Sequence, residues 1–318
     1  MKNIKFNRYI ACLLSSTLFS CCSVVGMEKK SYLDMDYTFA FKGLNDTEEF
    51  EDCRNSIPLN KLAISKSKFI QNKTSVKLNG DTLMAWGHNG AIYKVNDKRV
   101  FKLTYSSNDM NQDYAASKLL LSIRKNNKDF AGNLSKNLLN IYDTQTWKYS
   151  SKKNENQKLN ETDFNVLICM DYINGINFSK FLSNLKGGYF CDFDIVLNWM
   201  STICKVLLLL KNNGLIYGDL HNDNIMLYKE NNEIIPVLVD YGHAYTKESL
   251  KSTQSVFSLD EIESTAIENV ESILKEFYEN ENVTNNGKIQ IDDLESLKKC
   301  KTFEELVNKM EELIEKCK

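Results

Sequence analysis

The chain of 318 residues carries 40 basic and 42 acidic side chains, with 42% hydrophobic and 26% charged residues, a composition that excludes disorder throughout. A formal net charge of −2 and a pI near 6.1 provide no global basic field, so charge does not point to nucleic acid and any anion site must be local. Three scattered histidines, and nine cysteines without a C-x-x-C pair, do not indicate a His-rich or zinc site.

The chain begins MKNIKFNRYIACLLSSTLFSCCSVVGMEKK, with Lys2, Lys5 and Arg8 ahead of an apolar stretch from Tyr9 to about Phe19. This is the layout of a secretory leader over residues 1–26, short for a transmembrane helix. Within it, LFSC loosely resembles a lipoprotein cleavage site, with Cys21 as the attachment point. The expectation is an exported protein, secreted or lipid-anchored, that meets a membrane only through this leader. Residues 27–74 are polar, interrupted by Pro58, and read as an extension. Cys169 and Cys204 lie inside apolar runs and read as buried free thiols.

From Ser75 the pattern changes to short alternating runs, SVKLNGDTLMAWG, AIYKVN and RVFKLTY, separated by NGD, HNG and NDK turn signals. Three antiparallel strands are expected. DYAASKLLLSI then sets Ala116, Leu119, Leu120 and Ile123 at helical spacing, and NLLNIYDTQTWKY and FNVLICMDYI read as two more strands around a solvated loop, SSKKNENQKLNET. After MDYINGINFSKFL the chain turns helical. DIVLNWMSTICKVLLLLKNNG is apolar around a broad face, as a central core helix should be, and ends at Gly214. Two further helices are expected in SLDEIESTAIENVESILKEFYE and TFEELVNKMEELIEKC, the latter opening on a Thr302/Glu305 capping box.

Between the core helix and the last two lie IYGDLHNDNIMLY and VLVDYGHAY. Asp219, Asn224 five residues on, and Asp240 put three hard oxygen ligands on loops that one hairpin could bring together, where a divalent cation and a phosphate could sit. Upstream, AWGHNGAIYKV carries Gly87 and Gly90, whose missing Cβ atoms allow backbone N–H groups to approach phosphate oxygens. RVFKLT follows with Lys102.

The order and spacing of these segments resemble the protein-kinase-like superfamily over roughly Ser75 to Lys318, with GDLHNDN as the catalytic loop and Asp-Tyr-Gly for Asp-Phe-Gly. The resemblance implies an α+β, two-lobed fold. Residues 75–172 would form a five-stranded antiparallel N-lobe with one helix, and residues 173–318 a mostly helical, abbreviated C-lobe. It also implies ATP and Mg2+ as cofactors. Asp219 would be the catalytic-loop Asp and Lys102 the phosphate-binding lysine, with Asn224 and Asp240 as metal ligands. Gly87, Gly90, Lys102, Asp113, Asp171 and Tyr172 would surround the nucleotide, the hinge running from Met170 to Gly175.

The chain departs from the family in several places. Ala85 replaces the first glycine of the loop, and no Glu occurs between Lys102 and Glu155, so Asp113 is the acid available to pair with the lysine. Gly218 stands where kinases gated by loop phosphorylation usually carry Arg. No Ala-Pro-Glu follows Asp240, after which about 78 residues remain. The implied activity is a monomeric phosphotransferase acting on a protein Ser/Thr hydroxyl, without a nucleic-acid partner. A small-molecule or glycan kinase and a pseudokinase binding module stand as the alternatives.

Overall fold

The computed structural model describes residues 30–38, 56–58, 75–77, 82–87, 90–104, 107–126, 132–148, 164–246, 249–250 and 258–318. The leader, Cys21, Cys53, His88 and the loop 150–162 lie outside these residues.

Five strands form one antiparallel sheet: β1 (Leu83–Gly87), β2 (Gly90–Asn96), β3 (Arg99–Thr104), β4 (Ile141–Lys148) and β5 (Phe164–Asp171). Their spatial order is β1-β2-β3-β5-β4, so the pairing expected from the alternating runs is present. One refinement concerns the first run: Ser75–Lys77 does not extend β1 but pairs with Ser56–Pro58 as a separate two-stranded sheet. α1 (Ser107–Asn126) follows β3 and packs on β4 and β5. Every residue of β3 is buried, a pattern for a central strand covered on both faces.

Past the β5 end the chain forms β6 (Ile176–Asn177), α2 (Phe178–Lys186), β7 (Tyr189–Asp192) and α3 (Phe193–Asn212). Asn177 caps α2 by accepting the Lys180 N–H at 2.9 Å. α3 holds Val196, Leu197, Met200, Ile203, Cys204, Val206, Leu207 and Leu210 fully buried. Among the described residues it is the one helix long and apolar enough to cross a membrane, but its burial is that of a core helix. It ends as expected, with Gly214 at φ +85 just past the cap.

Then come β8 (Ile216–Tyr217), β9 (Ile225–Glu230), β10 (Glu233–Leu238), β11 (Ala244–Tyr245), α4 (Leu259–Tyr278), α5 (Ile291–Glu295) and α6 (Phe303–Cys317). β9 and β10 are joined by Asn231 and Asn232, both at positive φ, as a two-residue hairpin turn matched to strand twist demands. α4 carries a full capping box between Ser258 and Glu261. At α6 the box is only half formed. Thr302 accepts the Glu305 N–H at 3.2 Å, but the Glu305 carboxylate reaches the Lys301 N–H rather than that of Thr302.

Residues 30–38, within the expected extension, are built into this half. Lys30–Ser31 runs parallel to β7, Met35 and Tyr37 are buried, and the Tyr32 ring meets Trp199 edge-on at 5.8 Å. Cys169, Cys191 and Cys204 are buried free thiols, as read from their apolar context for the first and third. Burial pushes the Cys169 thiol up to about 12, leaving it unreactive near neutral pH.

Candidate functional site

Alternation along β3 sends Lys102 and Thr104 to one face, toward α1. There Lys102 Nζ lies 2.9 Å from Asp113 Oδ2 and 3.2 Å from Oδ1. The Thr104 hydroxyl donates to the same Asp113 Oδ2 at 2.5 Å. Lys102 Nζ also reaches Asp240 Oδ1, at 2.6 Å, so one ammonium bridges two carboxylates supplied by a helix and a loop. Burial opposes the ammonium charge, yet Asp113 and Asp240 together outweigh it and hold the Lys102 pKa above its ordinary value. Burial likewise works against the Asp240 carboxylate, while Lys102 and the Gly242 N–H bring its pKa below the usual range.

Asp240 sits at φ +56, in the left-handed region that Asp tolerates better than most residues. Its Oδ1 accepts the Gly242 N–H at 3.1 Å. A Cβ on Gly242 would stand 3.2 Å from Asp240 Oδ1, and 3.3 Å from both Asp113 Oδ1 and Lys102 Nζ. Glycine at this position lets the backbone close over the three charges.

The second part of the site is the loop between β8 and β9. Asn224 Nδ2 donates to the Asp219 carbonyl at 2.8 Å and to its carboxylate at 3.1 Å. The Asn224 carbonyl accepts the Val239 N–H at 3.0 Å, and the Tyr217 hydroxyl donates to the Val239 carbonyl at 2.7 Å. β8 pairs with β11, and the Gly218 N–H bonds the His243 carbonyl at 3.0 Å. The loop bearing Asp219 and the turn bearing Asp240 are therefore tied together by backbone on both sides. The Asp219 and Asp240 side chains keep 39% and 45% of their surface exposed, whereas Lys102 and Asp113 keep 9% and 2%. The result is a cation buried at the base and two carboxylates open to solvent.

Gly87 and Gly90 face one another as a β1/β2 register pair, and Gly90 and Ile92 lie across from Thr104 and Lys102 on β3. His88 and Asn89, between the glycines, fall outside the described residues. At the end of β5, the Asp171 carboxylate accepts from Arg99 at 2.8 Å and from the Tyr142 hydroxyl at 2.7 Å. The Asp171 and Tyr172 N–H groups go to the Asn140 and Lys98 carbonyls. The Arg99 guanidinium stacks over Tyr142 at 3.6 Å. The side chain of Asp171 is thus engaged within the protein. Three residues of the cluster carried no sequence assignment: Thr104, Gly242 and Tyr217. The signals were slight: a Thr two positions after the lysine, the Gly of Asp-Tyr-Gly, and a Tyr two positions before the loop Asp.

Among the described residues no three His, Cys, Asp or Glu side chains gather as a metal cage. A magnesium ion needs only one or two protein carboxylates when phosphates and water complete its octahedron, and the oxygen donors of Asp240 and Asn224 suit that hard cation. The cavity of about 1040 Å³ bounded by Trp199, Lys205 and Pro236 includes none of these residues.

No protein-family model and no curated protein matches the chain. Among solved structures it is similar to the PknI kinase domain of Mycobacterium tuberculosis. One mutant of that domain aligns at 11% identity over 74% of this chain and 94% of that one, with a TM-score of 0.45. A double mutant aligns at 12% identity, covering 73% and 93%, with a TM-score of 0.43. At TM-scores below 0.5 this likeness adds no weight to the geometry above.

Proposed function

We propose that the chain is an ATP- and magnesium-dependent phosphotransferase of two-lobed, protein-kinase-like build, acting on a protein serine or threonine hydroxyl. Residues 75–172 and 173–318 would be its lobes. The observation that carries this reading is the meeting of Lys102 with Asp240, 138 positions apart, at 2.6 Å, next to a loop in which Asn224 holds Asp219. Cation, metal-type carboxylate and an exposed carboxylate beside an amide are what transfer of a phosphoryl group to a hydroxyl requires.

In this reading Lys102 binds the phosphates of the nucleotide under the Gly87/Gly90 turn, with Asp171 and Tyr172 near its base at the hinge. Asp240 and Asn224 would hold magnesium through their oxygens, and the ion would supply charge neutralisation at the phosphates. Asp219 orients the acceptor hydroxyl and takes its proton. Positioning and charge neutralisation do most of the work. A helix carboxylate is in place beside the lysine, Asp113 at 2.9 Å from Lys102, which supports an enzyme over a non-catalytic module.

Activity should need no upstream kinase. A Cβ on Gly218 would lie 2.8 Å from Tyr245 Cε2 and 3.0 Å from both the His243 carbonyl and Ile262 Cγ2, so an arginine reaching for a loop phosphate has no room there. We further propose that the protein is a monomer exported through its leader, lipid-anchored if Cys21 is acylated, and that nucleic acid is not its partner.

The test incubates the protein lacking residues 1–26 with labelled ATP and magnesium, with a cell lysate and separately with its small-molecule fraction. Label is expected on protein serine or threonine without prior phosphorylation. Label confined to small molecules would transfer the assignment to a small-molecule or glycan kinase. No label in either, with ATP still bound, would point to the binding module.

A further inference from the structure

Aspartate in place of glutamate on α1 raises a geometric problem. The carboxylate is one methylene shorter, and with two oxygens and two χ angles it can turn away from the lysine unless something fixes it. Asp113 is buried among side chains of which one, Thr104, makes a neutral hydrogen bond to it. Thr104 is fully buried, on the same strand face as Lys102 and two residues on. Its hydroxyl donates at 2.5 Å to Asp113 Oδ2, the oxygen that also lies 2.9 Å from Lys102 Nζ.

We infer that Thr104 is a positioning residue for the phosphate-binding lysine, acting through Asp113. The strand supplies two donors two residues apart, one charged and one neutral, and both meet the same oxygen, Asp113 Oδ2. Thr104 is fully buried with its hydroxyl on Asp113, so its effect on a ligand would pass through that carboxylate. Its hydroxyl sets the orientation of Asp113, and Asp113 sets the height of the ammonium above the Asp240 carboxylate. A β-branched threonine, with its χ1 restricted on a strand, keeps that hydroxyl aimed at one point.

This inference rests on the phosphotransferase reading, and the experiment separates the two. In the full chain, Thr104→Val keeps the shape and removes the donor, while Thr104→Ser keeps the donor; Thr104→Ala replaces the valine variant should that one not fold. The readouts are KM for ATP against kcat, and the rate at which Lys102 is acylated by an amine-reactive reagent, followed by mass spectrometry of the Lys102 peptide. Loss of a hydrogen bond to a charged acceptor should raise the ATP KM on the order of tenfold, with a smaller change in kcat. Thr104→Ser should return KM to within about twofold of wild type. In a Lys102→Met background the Thr104 substitution should produce no further loss of ATP affinity. The loosened lysine should also acylate several-fold faster in Thr104→Val. Unchanged KM and unchanged acylation, or an effect on ATP that persists in Lys102→Met, would overturn the inference. A wild-type chain that binds no ATP would sink the phosphotransferase reading, while faster acylation in Thr104→Val would still uphold the link from Thr104 to Lys102.

Discussion

The two acidic groupings of the site differ in how much of their chemistry is already satisfied. Around Lys102, Asp113 and Asp240 are paired at 2.9 and 2.6 Å, and Gly242 closes the backbone over all three. Around Asp219, the partners are an amide from Asn224 at 3.1 Å and a His221 ring at 3.6 Å, with the carboxylate partly in solvent. The first grouping is pre-organised by its ion pairs, with Lys102 and Asp113 buried at its base and Asp240 at its open side, suited to holding a fixed, highly charged ligand. The second is open, suited to a group that arrives and leaves. Under the proposed function the first would meet the phosphate donor and the second the hydroxyl acceptor.

The largest effect should come from breaking the buried grouping. Under the proposed function, Lys102→Met and Asp240→Asn are each expected to lower phosphotransfer at least a hundredfold in a labelled-ATP assay, with far-ultraviolet circular dichroism unchanged. Equal activity in either variant would contradict the assignment.

A smaller effect, on stability, should come from the backbone that joins the two groupings. Gly218→Ala forces a Cβ to within 3.0 Å of a backbone carbonyl and of two side chains. Overpacking of this kind costs on the order of 1–3 kcal/mol, to be read as a lower urea midpoint. The same substitution at Gly287, where φ is +75 but nothing stands within 4 Å, lacks the clash and serves as the control for strain alone.

The mildest test is pH. Asp240 has its pKa lowered on folding, so its contribution is present above its unfolded value near 3.8 and is lost as pH falls through the depressed folded value. Lys102 has its pKa raised, so its contribution is present below 10.5 and is lost only as pH rises through the higher folded value. The pair should therefore be intact across the whole range between these limits. Asp240→Asn should lower stability near neutrality and flatten the acid limb of the profile, the two proteins converging at low pH where Asp240 is protonated; an unchanged acid limb would mean that the pair does not form in solution.

How legible this was in the sequence varied with the range of the interaction. The five strands and α1 could be read from local alternation and helical spacing, and Asp113 from its place on the face of Ala116 and Leu120. Thr104 was invisible because a threonine on a strand is ordinary strand chemistry; its role depends on a helix residue nine positions away. Residues 30–38 give no sequence signal beyond an extension because two paired residues and two buried side chains, Met35 and Tyr37, create no periodicity. At α6 the spacing of Thr302 and Glu305 signalled a box, but the carboxylate found the neighbouring N–H instead, a choice that local sequence does not encode.

The central claim is that Lys102, Asp240 and Asn224 form a site for a metal-bound nucleotide. Titration calorimetry of ATP into the protein, with magnesium and with the metal chelated, tests it directly. The account expects ATP to bind at least tenfold more tightly with magnesium, because Asp240 otherwise presents a carboxylate to the phosphates, and expects Asp240→Asn to remove that difference. Equal affinity with and without magnesium in the wild-type chain would contradict it.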